Sequence, residues 1–430
     1  MLVLLALLCL MACTKNGSLT LDRTELVLEN EAVRLIATVT PEQPLTWSSS
    51  NEKIVKVYEG YVVPFKNGSA VVTVSTLDGK LSAQCAVKVD GYLKDLSEKG
   101  TANCYIIPEG GRYKFKCTRG NNKEGNITGI QNVRVLWEST FSTRGVQEKD
   151  LVAGVNYEDG WVYVQTGKEE HGNAVIAVED DLGNVLWSWH LWFCKGFVPE
   201  NYQQTYKDGS IWMDRNLGAS TYSSAAGFGL MYQWGRKDPF PGPYNNSGSK
   251  APVSRALPTP LPAKDQQSAA GGVVGFARKN PTVFLKSPSK SDKWCLGSEL
   301  SELWSVNKTI NDPCPLGWRV PANIWKDAAQ AESYSAGRVQ DWGGTLGYAS
   351  DLGSPLAGLQ PRTLTYPAAG YYDFEGNLVN VTTEVKVWSC TVYNNISVRA
   401  LMADGTSADF GSSKTPVVYG AASVRCVKDE

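Results

Sequence analysis

Val71-Val-Thr-Val-Ser-Thr-Leu-Asp-Gly-Lys-Leu-Ser-Ala-Gln-Cys-Ala-Val-Lys-Val89 reads as two strands folded back on each other. β-Branched residues fill both arms, and Asp78-Gly79 between them is a strong hairpin signal, because both residues tolerate positive φ in a tight turn. Upstream, Val33, Leu35, Ala37 and Val39 alternate with Arg34, Ile36, Thr38 and Thr40. Period two places one face of this run in a core and leaves the other largely to water. Residues 18–90 are therefore expected to form a small antiparallel sandwich, with Trp47 as a core tryptophan rather than a ligand platform.

Two motif runs inside this segment, Ala37-Thr-Val-Thr-Pro41 and Thr46-Trp-Ser-Ser-Ser-Asn51 followed by Ile54-Val-Lys-Val57, join Gly68-Ser-Ala-Val-Val-Thr-Val74 and Asp78-Gly79 in a pattern that resembles the group 2 bacterial immunoglobulin-like domain. The resemblance implies a spacer or adhesin module. At 430 residues the chain exceeds one ordinary core and suggests about three domains of ~100–200 residues each. Lys plus Arg total 42 against 43 Asp plus Glu. No overall basic field is available to attract nucleic acid or an anionic membrane, so no nucleic-acid partner is expected. Fourteen Trp and nineteen Tyr, with few stretches of helical period, favour sheets over helix bundles.

The N-terminus reads Met1-Leu-Val-Leu-Leu-Ala-Leu-Leu-Cys-Leu-Met-Ala-Cys13-Thr-Lys-Asn. Its apolar run is too short to span a ~30 Å hydrocarbon core and suits an export signal over 1–12. Leu10-Met-Ala-Cys13 resembles the lipobox of bacterial lipoproteins, which implies that Cys13 carries a diacylglyceryl group and that 13–17 is a tether. No later stretch approaches 18 consecutive apolar residues, so the lipid is the expected membrane attachment. The expected location is the cell envelope, at the outer membrane, facing the periplasm or the surface. Cys85, Cys104, Cys117, Cys194, Cys295, Cys314, Cys390 and Cys426 remain, and eight cysteines permit 105 connectivities. With no CxxC and only His171 and His190, a zinc site is not expected.

Residues 91–200 read as a second β unit. Ala102 to Ile107, Gly111 to Phe115, Val133 to Trp137, Gly160 to Val164, Asn173 to Val178 and Val185 to Phe193 are strand-like, with Gly, Asn and Asp between them. In Leu186-Trp-Ser-Trp-His-Leu-Trp-Phe193, alternation puts Trp187, Trp189, Leu191 and Phe193 on one face and Ser188, His190 and Trp192 on the other. Neither a nucleophile nor an orienting carboxylate is local to His190, so a hydrogen-bonded structural histidine is expected.

Six ordered motifs mark 201–430. They are Asp208 to Ala219, Met231-Tyr-Gln-Trp-Gly-Arg-Lys-Asp-Pro-Phe240, Cys314-Pro-Leu-Gly-Trp-Arg-Val-Pro321, Ala369-Gly-Tyr-Tyr-Asp373, Val387-Trp-Ser389 and Ser423 to Asp429. The series is similar to the Fibrobacter succinogenes major paralogous domain of exported and surface-attached proteins. That resemblance implies an α+β, C-type-lectin-like fold at the C-terminal end of a mainly β multidomain chain. It also places Cys314 and Cys426 in motifs at the two ends of the module, making them the candidate disulfide. Cys390 stands where the family commonly has Ser, and a bridge particular to this protein is expected there. Pro321 with Ile324, Trp325, Ala328 and Ala329 predicts a short helix, and the Pro-, Gly- and Ser-rich stretch 240–293 a long surface loop.

Chemistry is sparse in this pattern. Glu169-Glu170 and Asp180-Asp181 read as exposed turns rather than a glycosidase pair, and Gly271-Gly272 and Gly343-Gly344 lack a strand-Gly-helix context. The calcium-sugar motifs of true C-type lectins are absent, Gln360-Pro-Arg362 being the nearest fragment. A fold shared with formylglycine-generating enzymes carries no function by itself. The expected protein is a non-enzymatic binding or adhesion module for a glycan or protein ligand, with no cofactor and no metal. Trp212, Tyr232, Trp234, Trp342, Tyr371 and Tyr372 are its candidate aromatic platforms. A carbohydrate-active enzyme and a structural subunit of a surface fibre are the alternatives. Two carboxyls roughly 5–10 Å apart in a cleft would favour the enzyme.

Overall fold

The computed structural model describes residues 17–121, 125–140, 145–205, 209–222, 225–243, 257, 261–265, 273–286, 294–295, 303–322, 337–340, 346–350, 364–394, 397–403, 408–409 and 420–429. The protein is mainly β, and among these residues Val273–Lys279 is the one α-helix. It divides into two compact units, one ending at Tyr92 and the other beginning at Leu93.

The first unit is a β-sandwich. Glu25–Leu28 runs parallel to Ser82–Val89, which pairs antiparallel with Gly68–Thr76 and through it with Leu45–Ser49. Opposite lie Val33–Arg34, Tyr61–Pro64 and Val55–Tyr58. The alternation around residue 35 holds: Leu35 is buried, Ile36 is exposed, and Leu26, Leu28, Val55, Val62, Val72, Cys85 and Val87 complete the core. Trp47 packs against it. The Asp78-Gly79 turn forms, but differently from the expected two-residue turn. Gly79 alone has positive φ, at 68°, and the Thr76 hydroxyl donates to Asp78 Oδ1 at 2.6 Å, which spreads the loop over Leu77 to Lys80. The two-residue turn with both φ values positive is instead Glu59-Gly60, at 49° and 84°. A Cβ on Gly60 would stand 2.6 Å from the Leu35 carbonyl oxygen.

The second unit begins with another sandwich. One sheet takes the order Leu93–Asp95, Arg112–Lys116, Trp161–Thr166, Val152–Glu158, and the other Cys104–Ile107, Val185–Cys194, His171–Glu179, Asn132–Thr140. Asp159 and Gly160, at φ 48° and 80°, make the tight turn between two of these strands. Tyr113, Phe115, Val162, Val164, Ile176, Trp187, Trp189, Leu191 and Phe193 fill the space between the sheets. The second sheet is buried on both faces. Ala174, Ile176 and Val178 enter this core, whereas Val175, Ala177 and Trp192 enter another that continues through Met213, Leu230, Trp234, Trp304, Trp388 and Val424. Residues from 91–200 and 201–430 thus share one apolar interior. Each large side chain fully buried there contributes roughly 1.5–3 kcal/mol.

Beyond residue 200 the chain forms short, paired strands. Ile211–Met213, Val427–Lys428 and Trp318–Arg319 are neighbours, while Val385–Asn394 pairs with Ser397–Ala403 and with Ala421–Ser423. Cys314 and Cys426 form a disulfide across 112 residues. Cys390 does not form the bridge expected of it. It is a free thiol buried among apolar neighbours, and burial pushes it up to about 12.

The described parts of 240–293 also correct the surface-loop expectation. Ala263–Asp265 pairs parallel with Phe284–Lys286, the helix Val273–Lys279 lies between them in sequence, and Leu257, Val274, Ala277 and Leu285 are core residues. Arg236 holds this segment in place. Its guanidinium donates to the carbonyl oxygens of Val283 at 2.7 Å and Asn280 at 3.0 Å, beside the C-terminal end of the helix. The helix predicted from Pro321 falls mostly outside the described residues.

Candidate functional site

The aromatic residues singled out as platforms are mostly interior, a correction to the reading from sequence. Trp212, Tyr232 and Trp234 are each 0 % exposed, and Tyr372 is buried. For three of them the polar atoms explain why; the Tyr232 hydroxyl is buried without a hydrogen-bond partner. Trp234 Nε1 donates to the Ser389 carbonyl at 2.8 Å, Trp212 Nε1 to Ser210 Oγ at 2.9 Å, and the Tyr372 hydroxyl to the Pro241 carbonyl at 2.9 Å. A satisfied N–H or O–H lets a large ring be buried whole, and a buried ring offers no stacking face. Burial holds the Tyr232 hydroxyl well above its ordinary value. Tyr371 is half-buried, with the Lys386 ammonium 4.4 Å from its ring centroid. Trp342 and the lipidation residue Cys13 lie outside the described residues.

Charged residues of the same motifs are also enclosed. Lys237 Nζ lies 2.7 Å from Asp238 Oδ1, 2.5 Å from Ser188 Oγ and 3.0 Å from the Ser188 carbonyl oxygen, while Ser188 Oγ donates to Asp238 at 2.6 Å. Burial lowers the Lys237 pKa, and Asp238 opposes the shift. This is the spacing of a hydroxyl nucleophile and a lysine base. Ser188 is, however, wholly buried, and the recess beside Lys237 and Asp238 measures about 10 Å³, room for roughly one water. Lys308 is caged likewise, donating to the carbonyls of Cys314 at 2.8 Å, Pro315 at 2.9 Å and Trp318, with Asp312 at 3.5 Å. His190 Nε2 lies 2.9 Å from Asn173 Oδ1, and desolvation lowers its pKa to about 3. No group of three His, Cys, Asp or Glu suited to a metal occurs among the described residues.

A more accessible array stands on the outer face of the sheet Leu93–Asp95, Arg112–Lys116, Trp161–Thr166, Val152–Glu158. Register sets it out in three rows: Arg112 beside Leu93, Gln165 and Gly154; Lys114 beside Asp95, Tyr163 and Asn156; Lys116 beside Trp161 and Glu158. The intervening residues Tyr113, Phe115, Val162, Val164 and Val155 point into the core, so period two commits this set to the opposite face. Accessibility rises along the strands. Arg112 and Gln165 are 1 % and 0 % exposed, Tyr163, Asn156 and Glu158 are also buried, Lys114 and Trp161 are half-buried, and Lys116 is exposed. The Lys114 ammonium stands 4.1 Å from the Trp161 ring centroid.

This face was missed from sequence, although Arg112-Tyr-Lys-Phe-Lys116 and Trp161-Val-Tyr-Val-Gln165 carry its signal. Each alternates core residues with aromatic, cationic or amide ones. An ordinary solvated strand alternates core residues with less specific polar ones.

No family model and no curated protein matches the chain. Among solved structures it is similar to a three-immunoglobulin-domain titin fragment, at 14% identity over 41% of this chain and 64% of the fragment, with a TM-score of 0.13. Its span is thus less than two thirds of that fragment. It is similar also to domains 4 and 5 of the S-layer protein SbsC, at 18% identity over 41% and 96%, with a TM-score of 0.14. A third is the Bacteroides ovatus mixed-linkage glucan utilization locus protein SGBP-B in complex with a mixed-linkage heptasaccharide, at 16% identity over 41% and 42%, with a TM-score of 0.13. Likenesses this distant say nothing about a ligand.

Proposed function

We propose that this is a lipid-anchored cell-envelope protein that binds glycan without turning it over. In this reading Cys13 carries the lipid, the immunoglobulin-like unit serves as stalk, and the C-terminal motifs build a C-type-lectin-like scaffold. The observation that carries the binding role is the outer sheet face with Trp161 at its accessible end, flanked by Lys114, Lys116 and Glu158. A half-exposed indole on a rigid sheet supplies a flat apolar surface for the C–H face of a pyranose, and neighbouring polar groups fix its orientation. We assign the glycan to the central β unit rather than to Trp212, Tyr232, Trp234 and Tyr372, since those four are interior.

Isothermal titration of the full chain with oligosaccharides tests the reading. Trp161→Ala is expected to abolish binding while leaving the unfolding temperature close to that of the parent. Binding that survives Trp161→Ala refutes the placement, and turnover abolished by Ser188→Ala or Asp238→Asn overturns the non-enzymatic role.

A further inference from the structure

We infer that the hairpin tip Leu77-Asp-Gly-Lys80 rests on the bilayer that holds the anchor, with the Leu77 side chain entering the lipid interface. The inference deepens the lipid-anchor reading above and rests on it.

Tether length and strand direction bring this end of the first unit to the membrane. Four residue steps separate Cys13 from Gly17, so the fold begins at most about 14 Å from the acylated residue. Gly17 stands at the end of the sandwich where the hairpin turns, because a Cβ there would meet Leu81 Cδ1 at 2.9 Å and the Thr40 carbonyl oxygen at 3.0 Å. Leu81 closes the hairpin loop, its carbonyl accepting from Thr76 N at 3.0 Å. Residues 41–44 lead from Thr40 to Leu45, the cross-strand partner of Thr76, so they belong to the same end. Ser82–Val89 then runs away from it for roughly 24 Å, farther than the tether reaches.

The tip presents an apolar side chain to that surface. Leu77 is 67 % exposed, and Pro41 and Pro44 are exposed beside it at this end. A closed loop holds Leu77 outward: Asp78 Oδ1 accepts from the Thr76 hydroxyl at 2.6 Å and from Lys80 N at 3.1 Å. The other two comparably exposed aliphatic side chains of the unit stand elsewhere, Val27 opposite Lys88 near the far end and Ile36 four residues before Thr40.

Charge does not choose this contact. Lys80 and Asp78 pair at 3.3 Å, Lys15 and Glu42 add one charge of each sign, and Glu59, on the turn beside Trp47, adds a further carboxylate. A leucine at the interface gains by leaving water whatever the headgroup charge, while a flanking lysine keeps its ammonium among the headgroups. The anchor already confines the tip near the surface, so a single side chain suffices to hold a contact that it would not hold in free solution.

The test uses the full lipidated chain in phosphatidylcholine vesicles, with an environment-sensitive fluorophore on Glu42→Cys at the tethered end or on Asp90→Cys at the far end. The free cysteines among the described residues are buried, so the introduced thiol takes the label. A nitroxide placed high on the lipid acyl chain is expected to quench the Glu42→Cys label at least about twofold more than the Asp90→Cys label, equally at low and high salt. Adding Leu77→Asp should cut quenching of the Glu42→Cys label by about twofold or more, Leu77→Met should retain it, and an unchanged unfolding temperature confirms that the fold is intact. Equal quenching of the two labels, or indifference to Leu77→Asp, in a protein that stays with the vesicles overturns the contact and leaves the lipid anchor standing. Quenching that requires anionic lipid overturns it in favour of a charge contact. A parent chain that does not enter vesicles at all overturns both readings.

Discussion

Acid should destabilise the second unit through one buried histidine. His190 sits on Val185–Cys194, in the sheet that is covered on both sides, with its Nε2 2.9 Å from Asn173 Oδ1. Asn173 Nδ2 donates to the Gly218 carbonyl at 2.9 Å, which turns the amide oxygen toward the histidine. The proton is thereby assigned to Nε2, and the neutral ring donates. Nδ1 is buried with no hydrogen-bond partner, so a second proton there would add an uncompensated charge. Desolvation accordingly brings the folded pKa from 6.5 to about 3.

A histidine whose folded pKa is depressed favours the folded state fully above the unfolded value. That contribution is lost as pH falls from about 6.5 toward 3, because the unfolded chain takes up the proton first. Between pH 7 and pH 5 this amounts to about 2 kcal/mol, at about 1.4 kcal/mol per pH unit once the unfolded histidine is protonated. Urea unfolding followed by tryptophan fluorescence reports on the relevant unit, since Trp47 is the only tryptophan before residue 93. The parent should lose about 2 kcal/mol more than His190→Gln between the two pH values. Equal losses in the two proteins would show that His190 is not held neutral in the folded state.

Trp234→Ala removes a ring from the shared interior and leaves the Ser389 carbonyl without its donor, so about 3–5 kcal/mol of stability should go; an unchanged melting temperature with weakened ligand binding would restore the platform reading. Replacing Cys314 and Cys426 by Ser opens a loop spanning 112 residues, for a loss of at most ~4–5 kcal/mol on the chain-entropy account, and non-reducing peptide maps of the parent should contain the linked pair. Cys13→Ser should release the protein from membranes and abolish palmitate labelling, whereas an unlabelled parent would refute lipid attachment.

The sandwich folds were legible because their signal is local. Alternation such as Val33 to Thr40 and Leu186 to Phe193 assigns each side chain a face: the first run alternates in exposure accordingly, and the second sends Trp187, Trp189, Leu191 and Phe193 into one core and Trp192 into another. Less legible was how many faces of a sheet are covered. In the run Asn173-Ala-Val-Ile-Ala-Val178 every residue is buried, which local pattern does not distinguish from a short helix and which arises only when a second layer packs on. The fate of 240–293 was hidden for a related reason. Its order depends on Arg236 reaching the carbonyls of Asn280 and Val283 more than 40 residues away, and neither end of that contact looks unusual in sequence.

Aromatic abundance in 201–430 reflects packing: Trp212, Tyr232, Trp234 and Tyr372 are all buried. Trp192, Trp234, Trp294, Trp304 and Trp388 all donate their indole N–H to backbone carbonyls, so these tryptophans tie strands and loops together across the interior. The Arg236 and Lys308 cations serve the same purpose, donating to carbonyls of connecting segments such as Val283 and Cys314, and Lys237 donates to the Ser188 carbonyl. Dense motifs in such a domain therefore mark the groups needed to close an interior poor in regular structure. A ligand-binding face makes the opposite demand: its aromatic must stay at the surface on a strand whose other face is already secured. Trp161 meets that condition because Val162 and Val164, its alternating neighbours, are core residues and the two-residue turn at Asp159-Gly160 fixes the register beside it. The informative feature was thus the pairing of a core half with a cationic half in Arg112–Lys116 and with an aromatic half in its neighbour Trp161–Thr166, rather than the number of aromatic residues in a segment.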